Sequence, residues 1–247
     1  MLLPALREAR RRREPAGTQL VVPVVSEDGV RLYCRMVAGD PRRAVIVAHP
    51  AVVGSRYRQV VALADELARS FSVFLFDFRG HGASGGRCQM GFSGPALDLA
   101  AVVKRARGLG FSEVAVAGFS LGAGAAFLAA AGGTRLDALA SIGCPPTFPD
   151  VSMWDEHPVA SRAALRLLGM RVDGRPDAGP SPIDVAATLQ AFPRLMVFGE
   201  WEVSPAEEIR RFIELACPNE VLTIEGAWHA DLRGREPEIR EWLDRSM

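Results

Sequence analysis

The stretch "AVAGFSLGAGAAF", residues 115–127, changes character at its middle. Its first half is apolar and contains valine, as in a buried strand, whereas its second half is rich in alanine, which favours a helix. Gly118, Ser120 and Gly122 lie between the two halves. A strand that passes directly into a helix needs a tight turn, and glycines allow the two elements to approach closely. The pattern predicts a serine at the tip of a strand–turn–helix junction.

Short apolar runs alternate with segments of helical periodicity along most of the chain. This alternation is typical of an α/β fold with a mostly parallel sheet, here of eight strands, flanked by helices. The buried strands are predicted at 44–49, 72–77, 113–118, 136–143, 194–199 and 220–226, after an antiparallel hairpin formed by 19–25 and 30–37. The helices are predicted at about 57–70, 93–109, 121–131, 205–217 and 236–245.

One segment interrupts the alternation, and it predicts a lid. The residues from 144 to about 184 contain seven of the 17 prolines, together with Trp154 and a short apolar run. A long insertion in a compact fold is more often functional than a simple connection. We expect a single domain over residues 1–247 in which this insertion forms a small, partly helical lid, with Met153 or Trp154 contacting the substrate.

Composition narrows the class of partner. The 29 Lys and Arg residues balance the 29 Asp and Glu residues, so no global field attracts nucleic acid. The basic cluster at Arg10–Arg13 is not followed by the apolar segment of a secretion signal, and we interpret it as a solvated helix face or tail. No apolar run is long enough to span a membrane. The four cysteines lack metal-site spacing, which favours reduced, mostly buried thiols, no metal site and a cytoplasmic location.

A serine hydroxyl becomes a useful nucleophile only when a base takes its proton, and the base needs a carboxylate to orient it. The chain has four histidines. His229 follows the last predicted strand, from which a loop returns it to the carboxyl edge of the sheet, so it is the candidate base. His49 and His81 are expected to organise loops beside the site, and His157 lies in the insertion.

Two carboxylates compete for the orienting role. The loop after the strand at 194–199 reads "EWEVSP" and offers Glu200 and Glu202. Asp231 is too close in sequence to His229 to hold its ring, and it is expected to cap the loop instead. Residue chemistry alone leaves the choice between the two glutamates open.

In its motifs the chain resembles the α/β-hydrolase superfamily. "DFRGHGASGG", "GFSLG", "GEWEVSP" and "GAWH" follow one another in the family's order, and the resemblance covers about residue 21 to the C-terminus. It implies Ser120 as nucleophile, Glu202 as acid and His229 as base. Most relatives carry aspartate at the acid position, so Glu202 is a departure that adds one methylene.

The same resemblance implies an oxyanion hole built from two backbone N–H groups. One is that of Leu121, directly after the serine, and the other comes from the loop after "VIVAH". The family commonly has glycine after this histidine, but here Pro50 stands in its place and has no N–H to donate. Ala51 is therefore the expected second donor, with Val52 as the fallback.

Together these residues predict hydrolysis of carboxylic esters through an acyl-enzyme, with no cofactor. Four aromatic residues near the predicted site suggest a pocket for small to medium, mainly apolar substrates: Phe119, Trp154, Trp201 and Trp228. A thioesterase or acyltransferase would use the same residues. A serine peptidase and a non-catalytic binding module are the remaining alternatives. The partner is expected to be a small ester or thioester, and the oligomeric state is not predicted.

Overall fold

The computed structural model describes residues 13–148 and 170–247. In this part of the chain ten strands alternate with helices. The strands are β1 Gln19–Val25, β2 Arg31–Val37, β3 Arg43–Ala48, β4 Ser72–Phe76, β5 Cys88–Met90, β6 Glu113–Phe119, β7 Leu139–Ile142, β8 Val172–Pro176, β9 Arg194–Trp201 and β10 Glu220–Trp228. The helices are α1 Arg58–Leu67, α2 Ser93–Gly108, α3 Leu121–Ala131, α4 Pro182–Val185, α5 Ala206–Ala216 and α6 Glu236–Ser246, with a 3₁₀ turn at Ala186–Thr188.

Eight of these strands form one sheet in the order β1-β2-β4-β3-β6-β7-β9-β10. The pairs β1/β2 and β2/β4 are antiparallel, and the remaining pairs are parallel. The predicted eight-stranded, mostly parallel sheet with an opening hairpin is therefore confirmed. The carboxyl ends of β3, β6, β9 and β10 meet at one edge of the sheet, which brings the loops that follow these strands together.

Helices cover both faces of the sheet and bury its apolar side chains. On one face α2, α3 and α5 pack on a core cluster that includes Phe74, Phe76 and Phe127. On the other face α1 and α6 pack on a second cluster that includes Leu63 and Trp242. Central strands buried on both faces appear as continuous apolar runs, which is why they could be predicted from sequence.

Two short strands were missed by the sequence analysis. β5 and β8 pair in parallel as a separate two-stranded sheet that joins the end of the insertion to the loop after β4. Neither strand has the apolar run that identified the others. The lid is not tested by the structure, because Met153, Trp154 and His157 lie outside the described residues. Among the described residues, no helix combines the length and apolarity required to cross a membrane.

Candidate active site

Ser120 stands at the junction between β6 and α3 in a backbone conformation that residues other than glycine rarely adopt. Its φ is 48° and its ψ is −105°, in the region where a residue other than glycine is strained. The backbone around it is held on both sides: the Ser120 N–H donates to the Ile142 carbonyl at 2.8 Å, and the Ser120 carbonyl accepts from the Gly124 N–H at 3.0 Å. The predicted strand–turn–helix junction, with Ser120 at its tip, is therefore present.

The flanking glycines permit this turn by their lack of a side chain. A Cβ atom on Gly118 would lie 2.6 Å from the Ala123 nitrogen, and one on Gly122 would lie 2.4 Å from the Ala48 carbonyl oxygen. Both contacts are with backbone atoms, which cannot rotate away. Close packing of α3 against β6 and β3 thus depends on glycine at these two positions.

His229 links this serine to a carboxylate. The Ser120 hydroxyl lies 2.9 Å from His229 Nε2, and His229 Nδ1 donates to Glu202 Oε2 on the other side of the ring. Glu202 Oε1 in turn accepts from the Gly199 N–H at 2.9 Å. The side chain of Glu202 is only 7% exposed. These contacts form one continuous hydrogen-bonded chain, the Ser120–His229–Glu202 chain, at the carboxyl edge of the sheet.

The two competing carboxylates have different partners. Glu200 Oε2 accepts from the Gly226 N–H at 2.7 Å and so ties the end of β9 to β10, while Glu202 contacts the His229 ring. Asp231 accepts from the Arg233 N–H at 3.1 Å and from the Gln59 side chain at 2.8 Å, consistent with the loop-capping position expected for it.

His49 orients the peptide that carries the Ala51 N–H. His49 Nδ1 donates to the Pro50 carbonyl at 2.8 Å, and His49 Nε2 accepts from the Phe78 N–H at 3.0 Å. In a trans peptide the carbonyl and the following N–H point in opposite directions, so the contact with Pro50 turns the Ala51 N–H away from His49. Burial lowers the pKa of His49 to about 3, which keeps the ring neutral and preserves this pattern of donor and acceptor.

His81 and Asp77 hold the next part of the same loop. His81 Nε2 donates to the Ala51 carbonyl at 2.5 Å, which fixes the peptide that carries the Val52 N–H. The Asp77 carboxylate accepts from the Ser55 N–H at 2.9 Å and from the Ala83 N–H at 3.1 Å. Burial raises the pKa of Asp77, but the hydrogen bonds from these N–H groups outweigh it and leave the pKa lowered. The importance of Asp77 was missed by the sequence analysis, although "DFRGHG" contained it.

Leu121 is the first residue of α3, and its N–H belongs to the positive end of the helix dipole. Ala51 is half-buried, whereas Val52 is 41% exposed. The two expected donors therefore lie just after β6 and just after β3, respectively. Both strands end at the carboxyl edge of the sheet.

Trp201 and Trp228 form an aromatic pair at the ends of β9 and β10. Their ring centroids are 5.3 Å apart, and they are 46% and 62% exposed. Phe119 was expected to line the pocket with them, and this was wrong: it is 1% exposed and packs in the core cluster under α1 and α6. Side chains alternate between faces along a strand, so Phe119 belongs with Ala115 and Ala117 of β6. Trp154 lies outside the described residues.

The remaining polar groups give no sign of a metal centre in the described residues. No cluster of three or more His, Cys, Asp or Glu side chains is placed to hold an ion there. Cys34, Cys88 and Cys144 are buried and Cys217 is exposed, and all four are free thiols. Burial raises the pKa of both Cys34 and Cys88 to about 12, so these thiols are protonated and unreactive at neutral pH.

Solved structures of similar fold cover nearly the whole chain. An esterase of Pyrococcus furiosus, Pf2001, is 19% identical, with 94% of each chain covered and a TM-score of 0.75. The α/β hydrolase GrgF from Penicillium sp. sh18 is 20% identical, with 93% of this chain and 99% of that chain covered and a TM-score of 0.75. A thermophilic esterase from Thermogutta terrifontis is 19% identical, with coverage of 93% and 99% and a TM-score of 0.67. At these identities the likeness shows the fold alone.

The sequence itself carries the family assignment. No curated protein sequence matches the chain. The family model described as alpha/beta hydrolase fold matches residues 44–211, from the start of β3 into α5. This range is more than half of the chain and includes the Ser120 turn and Glu202. The chain therefore belongs to the α/β-hydrolase family.

Proposed function

We propose that the protein is a serine hydrolase that cleaves carboxylic esters of small to medium, mainly apolar substrates. The observation that carries the proposal is the Ser120–His229–Glu202 chain, in which the serine hydroxyl lies 2.9 Å from His229 Nε2. A nucleophile within hydrogen-bond reach of a base, with the base oriented by a third group, is the arrangement that acyl transfer requires. Two of the structural neighbours are esterases, which favours this reaction among those of the fold.

In the first half of the reaction Ser120 Oγ attacks the ester carbonyl carbon, and its proton passes to His229 Nε2. The carbon–oxygen bond to the alcohol then breaks, and the same proton leaves with the alcohol. In the second half water attacks the carbonyl carbon of the acyl-enzyme and gives a proton to His229 Nε2. The bond from that carbon to Ser120 Oγ then breaks, the proton returns to Ser120 Oγ, and the carboxylic acid leaves. Glu202 accepts the Nδ1 hydrogen throughout and stabilises the imidazolium that forms twice in the cycle.

The negative charge that develops on the carbonyl oxygen needs donors fixed before the reaction begins. The Leu121 N–H and the Ala51 N–H fill this role in the proposal. The contact of His49 with Pro50 supports the choice of Ala51, because it turns that N–H outward from the core. His49 and His81 thereby act on the loop rather than on protons of the substrate.

The exposed indoles of Trp201 and Trp228 support an apolar substrate, because they offer an aromatic surface on the residues directly before Glu202 and His229. The insertion at 144–184 is proposed to complete this surface as a lid. A cytoplasmic location remains part of the proposal on the basis of the cysteine pattern.

A matched panel of substrates tests the function. Esters, thioesters and amides with the same acyl groups of increasing length are incubated with the wild type, and Ser120→Ala is the blank. We expect ester hydrolysis that the blank lacks, at the highest kcat/KM among the three linkages. A preference for thioesters, or acyl transfer to an added alcohol in place of hydrolysis, would move the assignment to thioesterase or acyltransferase. Ester turnover no greater than in the blank would overturn it.

A further inference from the structure

Arg35 is a buried cation of β2 whose counter-charge comes from far away in sequence. It is 2% exposed, and its Nη1 group donates to the carboxylate of Glu14 and, at 2.7 Å, to the Gln19 side chain. A buried guanidinium is costly without a paired anion. Glu14 lies before β1, so the segment at 13–16 provides the charge that this position requires.

The same glutamate holds a second arginine in the loop that follows β3. Glu14 Oε1 lies 2.7 Å from Arg56 Nε, and the Arg13 N–H donates to the Arg56 carbonyl at 3.2 Å. The Ala16 N–H also donates to Asp65 of α1 at 2.7 Å. Glu14 therefore bridges Arg35 in the sheet and Arg56 at the end of the loop.

A hydrogen bond connects the Glu14–Arg35 pair to the loop that carries Ala51. Arg35 Nη2 donates to the Ser55 hydroxyl at 3.1 Å, and Ser55 is fully buried. The Ser55 N–H in turn donates to Asp77, the carboxylate that holds the loop from the inside. Residues 51–56 are thus fixed on the inner side by His81 and Asp77, and on the outer side through Arg35 and Arg56.

We propose that Glu14 is a positioning residue for residues 51–56, acting through Arg35 and Ser55 to keep the Ala51 N–H in place for the oxyanion. The inference rests on the proposed function, because it assigns Ala51 to the oxyanion hole. Glu14 touches no reacting atom, so its loss affects the transition state and leaves ground-state binding largely unchanged.

The chain offers a matched control for a Glu14 variant. Glu66 also bridges two arginines, with Arg240 at 2.8 Å and Arg69 at 3.2 Å. Glu66 lies on α1, and both of its arginine partners, one just after α1 and one on α6, are outside residues 51–56. Glu14→Gln and Glu66→Gln each remove one negative charge from between two arginines, so effects of general stability appear in both variants.

Steady-state kinetics on a p-nitrophenyl ester form the first arm. We expect Glu14→Gln to lower kcat about tenfold with KM changed less than about twofold, because a displaced donor weakens a transition-state contact. Glu14→Asp should recover part of kcat because it keeps the charge, and Glu66→Gln should remain within about twofold of wild type. Equal losses in Glu14→Gln and Glu66→Gln would overturn the positioning role.

Hydrogen exchange forms the second arm and does not depend on activity. Amides of residues 51–56 should exchange faster in Glu14→Gln than in wild type, while those of α6 stay unchanged. Ser55→Ala, which leaves the Glu14–Arg35 pair in place, provides a second variant if Glu14→Gln folds poorly, and it should show the same local increase. Unchanged exchange at 51–56 in the folded variants would refute the proposal. Failure of wild type to hydrolyse any ester would instead refute the proposed function, and the exchange result would still decide the role of Glu14.

Discussion

Ser120 and the loop at 49–56 are embedded in buried hydrogen bonds, whereas Glu202 and His229 lie at the strand ends that also carry the exposed Trp201 and Trp228. After the roles in the proposed function, we call the first region the nucleophile side and the second, the ends of β9 and β10, the acid–base side. On the nucleophile side, glycines and buried polar groups fix backbone atoms. On the acid–base side, Glu202 holds the His229 ring and is itself held by the Gly199 N–H, next to an open aromatic surface. Buried contacts thus fix the backbone on one side, and an exposed aromatic surface, the proposed contact for the substrate, lies on the other.

Replacement of the proposed nucleophile, Ser120, should have the largest effect. Ser120→Ala is expected to lower kcat by about 10⁶-fold, as seen when a triad nucleophile is removed, while the fold is retained. Ester hydrolysis and the circular dichroism spectrum of the same preparation provide the check. Substantial turnover by the folded variant would remove Ser120 from the mechanism.

Substitution of Glu202 and of Glu200 tests which of the two carboxylates is the acid of the proposed function. Glu202→Gln keeps the shape of the side chain but favours the wrong imidazole tautomer, and a loss of about 10⁴-fold in kcat is expected. Glu200→Gln removes only the charge that accepts the Gly226 N–H, so its loss should stay below about tenfold. The reverse order of kcat values would show that Glu200 is the acid.

Close packing on the nucleophile side predicts a stability effect without any change of charge. Gly122→Ala places a methyl group against the Ala48 carbonyl and should reduce the free energy of unfolding by about 1–3 kcal/mol, measured in urea. Gly108→Ala is the control, because a Cβ atom there meets nothing within 4 Å. Near the end of α2 it should be neutral or slightly stabilising. Equal stability of the two variants would contradict the packing argument.

The buried histidine of the nucleophile side predicts a pH dependence. Unfolded His49 takes up a proton below about pH 6.5, whereas in the folded protein its pKa is about 3. Between these values the unfolded chain binds more protons, so stability falls as the pH falls, by at most about tenfold in the folding constant per pH unit. In urea titrations between pH 6 and 4.5, His49→Gln should lose less free energy of unfolding per pH unit than the wild type. His81, whose pKa is also lowered by burial, contributes a dependence of the same sign in both proteins. Identical slopes would contradict a neutral buried His49.

The aromatic pair predicts the smallest effect and concerns selectivity. Trp228→Ala should lower kcat/KM by about threefold to tenfold for long acyl chains and leave acetate esters nearly unchanged, because only long chains bury the indole surface. Leu109→Ala is the control, because Leu109 is 44% exposed at the end of α2. Trp242→Ala would not serve, because the Trp242 ring is 4% exposed and belongs to the core. If the ratio of kcat/KM for long and short acyl chains is the same in wild type, Trp228→Ala and Leu109→Ala, the two tryptophans do not contact the substrate.

The sequence predicted the sheet because buried parallel strands leave a strong local pattern. Seven-residue β1 and eleven-residue α3 have the predicted bounds. β5 and β8 were missed because their pairing depends on the approach of two loops, with the Cys88 N–H donating to the Arg171 carbonyl at 2.8 Å. Neither segment has a sequence pattern that indicates this contact, because the contact joins two parts of the chain that are distant in sequence.

For the candidate site, residue types were predictable but their surroundings were not. Phe119 was misassigned because adjacent residues in a strand face opposite sides, and proximity to Ser120 in sequence did not reveal which side it faces. The choice of Glu202 over Glu200 came from family resemblance, since both carboxylates stand in the same short stretch of sequence, "EWEVSP". The links from Glu14 to Ser55 join residues 41 positions apart through Arg35, and only the folded structure brings them together.

In the proposed mechanism Ser120, activated by His229 and Glu202, forms the covalent acyl intermediate. The most direct measurement is peptide mapping by mass spectrometry after reaction of the wild type with a fluorophosphonate probe, which labels activated serines. We predict a single adduct on the peptide that contains Ser120, about 10⁴-fold slower labelling in Glu202→Gln, and no adduct in Ser120→Ala. Labelling of a different serine, or no labelling of the folded wild type, would contradict the account.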